Sequence, residues 1–242
     1  MSVLVRDVDY MFLTSVVSLP VKNKRIDFAF IDKFIAELEA YLSVTGFKDY
    51  ELTDEEQKVL KDYDKIEWIE IPYKSIFNRI EQGRRLKKED QKSGNIPFVM
   101  SGTTNTGVVN FVSNPVAYFP KNSITVDIFG NVFYRNYNFG AGDDTGVYWN
   151  DERIYSKEQM IFFAASMQKS LFNKFSYGKK LRSSESYDIQ TMFPAKNKNI
   201  DYDYMNILIS AIQKLVIRDV VLYADKKIEA TKEAINKSQD YE

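Results

Sequence analysis

The apolar positions change period several times along the chain, and each change marks an element. Ile31, Phe34, Ile35, Leu38 and Leu42 fall three or four residues apart, the spacing of one helix face. Met205, Leu208, Ile209, Ile212, Leu215 and Val216 repeat that spacing, and the pattern runs on through Val220, Val221, Ala224 and Ile228 before it turns polar. A helix of roughly 30 residues or more suits a coiled-coil-like arm better than a compact domain. Between these stripes the period shortens. WIEIPY, IPFVM, GVVNFV, SITVDI and NVFYRNY, all within residues 66–150, alternate or cluster β-branched residues and are separated by Gly, Asn, Ser and Pro. Short helices interrupt them. Thr53 and Glu56 in TDEE form a capping box that opens a helix to about Tyr63. SIFNRIEQ followed by Gly83 resembles a short helix over 75–82. Residues 156–175 predict a helix capped by Ser156, with Met160, Phe163, Ala164, Met167 and Leu171 in one stripe; 176–183 read as a loop and 186–193 as a strand. The expected fold is mixed α+β: a mostly-β domain with short helices at 66–193, flanked by helical regions within 1–65 and 194–242.

The chain also matches itself. LPVKNKRIDFAFI (19–31) aligns with FPAKNKNIDYDYM (193–205) at a constant offset, without a gap. Pro20, Lys22, Asn23, Lys24, Ile26 and Asp27 meet Pro194, Lys196, Asn197, Lys198, Ile200 and Asp201. Each copy leads into one of the two apolar stripes, with Asp27 and Asp201 where an N-cap or a first-turn carboxylate belongs. The pattern predicts an extended segment, a proline-containing turn and an amphipathic helix, used twice.

Composition narrows the chemistry. The 242 residues contain neither Cys nor His, which excludes disulfides, thiol nucleophiles, His-based zinc sites and a His-dependent triad. No leader is read in the first twenty residues and no apolar run reaches the length of a membrane span, so the expectation is a cytoplasmic protein without membrane partners. FGAGDD (139–144) superficially resembles the glycine-rich loop of S-adenosylmethionine-dependent methyltransferases, but a strand-like run follows it and a turn between strands is the better reading. Asp143 and Asp144 are expected to be solvated turn carboxylates, and no metal site is expected. NPVA (114–117) lacks the second proline and the aromatic of an amino-methyltransferase motif, and GTTNTG (102–107) lacks the lysine of a P-loop.

Charge is segregated although the net value is only −1. Residues 37–70 carry eleven acidic and four basic side chains, which argues against contact with phosphates. KSLFNKFSYGKKLR (169–182) carries five basic residues, no acid and interleaved aromatics; RIEQGRRLKKEDQK (79–92) carries six basic and three acidic residues. Arg79, Arg84, Arg85, Lys87, Lys174, Tyr177, Gly178, Lys179, Lys180 and Arg182 are candidates to hold a nucleic-acid backbone. Ser101, Thr103, Thr104, Asn105 and Thr106, with Tyr134, Arg135 and Asn136, are candidates to approach base edges.

Four stretches in this order resemble a known family: WIEIPYKSIFNRIEQGRRL (68–86), IPFVMSGTTNTGVVNFVS (96–113), SITVDIFGNVFYRNYNFGAGDDTGVYW (123–149) and KFSYGKKL (174–181), followed by the proline turn and long helix. Together they resemble the specificity subunits of type I restriction–modification systems and their type IIB and IIG relatives, which alternate variable target-recognition domains with conserved helical regions. The resemblance implies a non-catalytic bacterial or archaeal subunit that recognises double-stranded DNA. It implies a partner modification methyltransferase holding S-adenosylmethionine, a restriction subunit, and no cofactor in this chain. The full-length pattern has two recognition domains where this sequence carries one. A half-subunit that pairs as a homodimer, or a truncated one, is then expected, with Phe34, Ile35, Leu38, Leu42, Leu208, Ile209, Ile212, Leu215 and Val216 as coiled-coil or dimer positions. An interaction adaptor or masking subunit derived from the family, and a methyltransferase fragment, remain the alternatives.

Overall fold

The computed structural model describes residues 20–44 and 50–239. The predicted absence of a leader falls on residues outside that range, and the side chains of Ile35, Leu38 and Leu42 lie outside the described residues as well. Contacts divide the chain into two units: Met1–Tyr50 with Leu215–Glu242, and Glu51–Lys214.

In the first unit, β1 (Val21–Lys22) and β2 (Arg25–Ile26) form a hairpin that leads into α1 (Phe28–Val44). Asn23 and Lys24, at φ 51° and 61°, make the two-residue left-handed turn that suits the twist of a hairpin. Asp27 caps α1 by accepting from the Phe30 N–H at 3.0 Å.

The second unit holds three sheets. Its elements are α2 (Asp54–Lys61), β3 (Glu67–Pro72), β4 (Arg79–Gln82), β5 (Ser93–Val99), β6 (Val108–Val112), β7 (Tyr118–Phe119), β8 (Ser123–Asp127), β9 (Val132–Arg135), β10 (Phe139–Ala141), β11 (Thr145–Trp149), α3 (Lys157–Leu171), β12 (Gln190–Lys196) and β13 (Asn199–Ile200). Helix α4 (Tyr202–Gln239) begins here and continues into the first unit. The sheet orders are β6-β5-β10-β7, β4-β11-β8-β9 and β13-β12-β3, and only the β5–β10 pair is parallel.

Both sequence-predicted caps close as reciprocal boxes. Thr53 Oγ1 accepts from Glu56 N at 3.2 Å while Glu56 Oε2 accepts from Thr53 N at 2.8 Å. Ser156 and Gln159 do the same at the start of α3. Helix α3 buries Met160, Phe163, Met167 and Leu171, so the predicted stripe is its core face, and Phe162 is buried with it. Phe163 sits in an aromatic cluster, with ring centroids 4.9 Å from Tyr155, 5.3 Å from Phe193 and 6.0 Å from Phe77. Met205, Leu208 and Ile209 of α4 join this core. Leu208 and Ile209 are therefore packing residues of the second unit and not the partner-facing positions expected, whereas Ile212, Leu215, Val216 and Phe34 are exposed.

Two further expectations need correction. Residues 75–82 are not a helix: a single 3-10 turn at Tyr73–Ser75 precedes strand β4. Ile76, Phe77 and Ile80 imitate helical spacing, but Ile80 turns inward as the partner of Tyr148 on β11. Gly83 is not a helix cap. A Cβ there would lie 2.2 Å from the Gly142 carbonyl oxygen, so glycine permits two backbones to cross. Helix α3 also stops at Leu171, short of residue 175, and Asn173 turns left-handed at φ 57°.

Candidate nucleic-acid interface

Strand β8 buries all five of its residues and ends in a carboxylate. Asp127 accepts from the N–H groups of Phe129 at 2.8 Å, Asn131 at 2.9 Å and Gly102 at 3.0 Å, and from the Asn131 side chain at 2.8 Å. The first two close the tight turn to β9; the third ties on the loop after β5. Asp144, just before β11, takes the neighbouring residue of that loop: its Oδ2 accepts from Ser101 N at 3.0 Å and Ser101 Oγ at 2.8 Å. Asp144 is thus half-buried and engaged, contrary to the solvated turn expected, because the chain after β5 passes directly over it; Asp143 is exposed as expected. Backbone bonds complete the junction, from Ile128 N to Asp144 O at 3.0 Å and from Leu181 N to Ile128 O at 2.9 Å. Two carboxylates therefore hold the 101–107 loop against the β8–β9 and β10–β11 turns, and the Leu181 backbone bond brings the 174–182 segment to the same place.

Period-two alternation on β9 sorts the next candidates. Val132 and Tyr134 face the main core, and Tyr134 donates its hydroxyl to Asn122 Oδ1 at 3.1 Å. Burial raises its pKa. Tyr134 is thus a packing residue rather than a base reader. Phe133 and Arg135 face the other way. Arg135 is 1% exposed. Its Nε donates to Thr125 Oγ1 at 3.0 Å, Nη1 to Thr106 Oγ1 at 3.0 Å and Tyr137 Oη at 3.1 Å, and Nη2 to the Thr106 carbonyl. Burial lowers its pKa, and the Tyr137 hydroxyl opposes that shift. Arg135 is consequently unavailable to bases and supports the loop from within; Asn136 is exposed.

Above Arg135, Thr103, Thr104, Asn105 and Thr106 are exposed, with Asn105 and Thr106 left-handed at φ 48° and 54°. Ser101 is engaged by Asp144 instead. Beside the loop lies a groove of about 790 Å³ whose walls include Arg85, Lys87, Lys88, Met100 and Asn110. A second groove of about 800 Å³ brings Arg84, Arg85 and Arg182 together. Arg182 is steered by donation to the Asp143 carbonyl at 2.8 Å, which also accepts from Gln82 Nε2 at 3.1 Å. Glu81, Glu89 and Asp143 also line these grooves, so the cationic character is partial. Arg79 stands apart at the far end of β4, paired with Asp151 at 2.7 Å. Lys87 lies 3.9 Å from Glu89.

Residues 176–179 form a small hairpin closed by paired Ser176 and Lys179 bonds of 3.0 and 3.1 Å. Tyr177 is 83% exposed at its tip, and a Cβ on Gly178 would meet nothing within 4 Å. Lys180 lies 4.8 Å over the Tyr177 ring and Lys179 lies 5.8 Å over the Phe175 ring. Lys174 is exposed nearby in sequence. Among the described residues no cluster of three acidic groups could hold a metal ion. Sequence reasoning missed Asp127, Asp144 and the inward role of Arg135. The one available signal was an acid closing an otherwise apolar strand, SITVD.

Residues 65–221 match the model of the type I restriction modification DNA specificity domain. The chain belongs to that family. It is 24% identical over 204 residues to the type II restriction enzyme BcgI specificity subunit of Heyndrickxia coagulans, covering 82% of this chain and 58% of the relative. Among solved structures it is similar to the type I restriction-modification S subunit from M. genitalium (TM-score 0.49, 14% identity, 86% of this chain and 56% of that one). It is also similar to the HsdS subunit from Thermoanaerobacter tengcongensis (TM-score 0.44, 10% identity, 82% of this chain and 51% of that one). The chain thus spans a little over half the length of each. The specificity-domain match includes every segment joined by Asp127 and Asp144, together with the start of α4, and leaves α1 and α2 outside. No helix among the described residues is long and apolar enough to cross a membrane.

Proposed function

We propose that this chain is a non-catalytic, cytoplasmic DNA sequence-recognition subunit that docks on duplex DNA and positions a partner methyltransferase, with a restriction subunit as a further partner. The observation that carries the reading is a polar, exposed loop held by Asp127 and Asp144, with two basic segments from distant parts of the chain tied beside it by backbone bonds, Arg84 N to Ala141 O and Leu181 N to Ile128 O. Arg84, Arg85, Lys87, Lys88 and Arg182 hold the phosphate backbone, and the 176–179 hairpin with Lys174 and Lys180 gives a second backbone contact. Thr103, Thr104 and Asn105, with Asn110 and Asn136, meet base edges. Methyl transfer and its S-adenosylmethionine belong to the partner.

The recognition domain is taken as 66–193, with helical regions in 1–65 and 194–242 as spacers. The segments at 19–31 and 193–205 are read as copies of one connector, since both form a hairpin over a left-handed Asn-Lys pair and end in an Asp cap. Exposed Phe28, Phe30 and Phe34 of α1, and exposed Val216, Val220 and Tyr223 of α4, supply surfaces for a homodimer that presents two recognition domains. The same exposed faces support a second reading, an adaptor that binds protein alone.

The test is salt-dependent DNA binding by the chain with its methyltransferase. Replacing Arg84 and Arg85 by alanine lowers affinity for all duplexes and reduces the slope of log K against log salt by about 2. No duplex binding by the wild-type complex overturns the DNA reading and favours the adaptor.

A further inference from the structure

We propose that Arg135 is a positioning residue for sequence discrimination, which holds the Thr103–Thr106 loop from beneath in the conformation that presents Thr103, Thr104 and Asn105 to DNA. The proposal rests on the DNA-recognition reading and adds how that reading is made selective.

The loop backbone is unfavourable on its own. Asn105 and Thr106 are consecutive left-handed residues. A β-branched side chain such as that of Thr106 is an outlier there. Such conformations persist only where the surroundings over-determine them, and they gather at binding sites. Here hydrogen bonds supply the restraint. Asp144 holds Ser101, Asp127 holds the Gly102 N–H, and Met100 N donates to Gly107 O at 2.9 Å. Gly107 itself is left-handed at φ 84°, with room for no side chain: a Cβ would lie 2.7 Å from the Met100 carbonyl oxygen. Arg135 supplies the restraint at the strained residue, gripping both the side-chain and the carbonyl oxygen of Thr106.

The tip is the converse. Among the described residues, the side chains of Thr103, Thr104 and Asn105 make no hydrogen bond within the protein, so their donors and acceptors are open to another molecule. A loop whose backbone is tied at each end and in the middle, and whose polar tip is unspent, is arranged for rigid readout.

The guanidinium is also an expensive choice for a prop. Among the described residues it has no ion pair, and its acceptors are two threonine hydroxyls, a tyrosine hydroxyl and a carbonyl. Burying a cation without a counter-charge is unfavourable even when it is hydrogen-bonded and lies 5.2 Å over the Phe133 ring, and an apolar residue of similar size would fill the space without that cost. What an apolar residue would not supply is the fork that fixes Thr106.

The experiment uses the full chain in complex with its methyltransferase and a pool of 40-base-pair duplexes with a randomised core, selected by binding and sequenced. Wild type, R135K, T106A and T106S are compared, together with the salt dependence of binding to non-specific duplex. Wild type enriches a motif. R135K and T106A keep non-specific affinity and salt slope but lose about tenfold or more of the preference at one contiguous group of motif positions, while T106S restores it. An unchanged motif in R135K and T106A overturns the role of Arg135. So does a uniform loss of both specific and non-specific binding. If R135K does not fold, T106A decides, because it removes one acceptor and leaves the guanidinium in place. A wild-type complex that binds duplex without enriching any motif overturns the recognition reading itself.

Discussion

Glu56 does three jobs with one carboxylate. It completes the cap of α2 and also accepts from Ser210 Oγ at 2.7 Å and Lys214 Nζ at 3.0 Å, which ties α2 to α4 within the second unit. Burial alone would raise its pKa; the Ser210 hydroxyl, the Thr53 N–H and the Lys214 ammonium outweigh that and hold it below its ordinary value. A carboxyl whose folded pKa is depressed contributes stability that is present above its unfolded pKa and lost as pH falls through the folded one. E56Q is therefore expected to lower stability at neutral pH by about 2 kcal/mol, roughly 4–8 °C in Tm. The gap to wild type closes as pH falls below the ordinary carboxylate range. Thermal melts between pH 7 and pH 3 check this, and a gap independent of pH would show that the charge of Glu56 does not matter. Residue-scale chemistry of this kind was half legible. The TDEE box can be read from four adjacent letters, but Ser210 and Lys214 lie far along the chain. Arg135 and Tyr134 are sequence neighbours with opposite fates, decided by strand alternation and by which element lies over each face.

At the scale of elements, local signals were read best where the element is fixed locally. The capping box of α2, the Ser156 cap and the stripe of α3, and the strand runs between 66 and 150 all rest on neighbours in sequence, and they stand as expected. The failure at 75–82 has a tertiary cause: Ile76, Phe77 and Ile80 fit one helix face and equally fit a turn followed by a strand, and pairing of β4 with β11 chose the second. The turn between β12 and β13 gives a test of element energetics. Asn197 and Lys198 are left-handed at φ 53° and 65°. Lysine gains nothing from that region and glycine occupies it freely. K198G is expected to raise stability by about 1 kcal/mol, seen as a rise of roughly 2–4 °C in Tm. A fall in Tm would mean that the lysine side chain makes a contribution larger than its backbone strain.

On the scale of the whole molecule, a net charge of −1 conceals a division of labour. Acidic side chains concentrate between 37 and 70, and basic ones in 79–92 and 169–182. Arg182 of the second basic segment meets Arg84 and Arg85 of the first in one groove, and Arg85, Lys87 and Lys88 line the groove beside the 101–107 loop. Sequence reading singled out both basic segments and the loop but not their junction, because the junction is made by two acids and by backbone bonds between distant segments. Asp127 and Asp144 were invisible as organisers: each looks like an ordinary turn residue until its partners from 101–102 are known. The family match at 65–221 contains this junction, and the role proposed for it is that the domain selects the sequence and a partner does the chemistry. That account is tested most directly by mapping DNA methylation in a methylation-deficient host that expresses the partner methyltransferase with and without this chain. The account predicts a discrete modified motif that appears only when both are present and that fades in the R84A/R85A variant. Methylation of the same motif without this chain, or none in its presence, would contradict it.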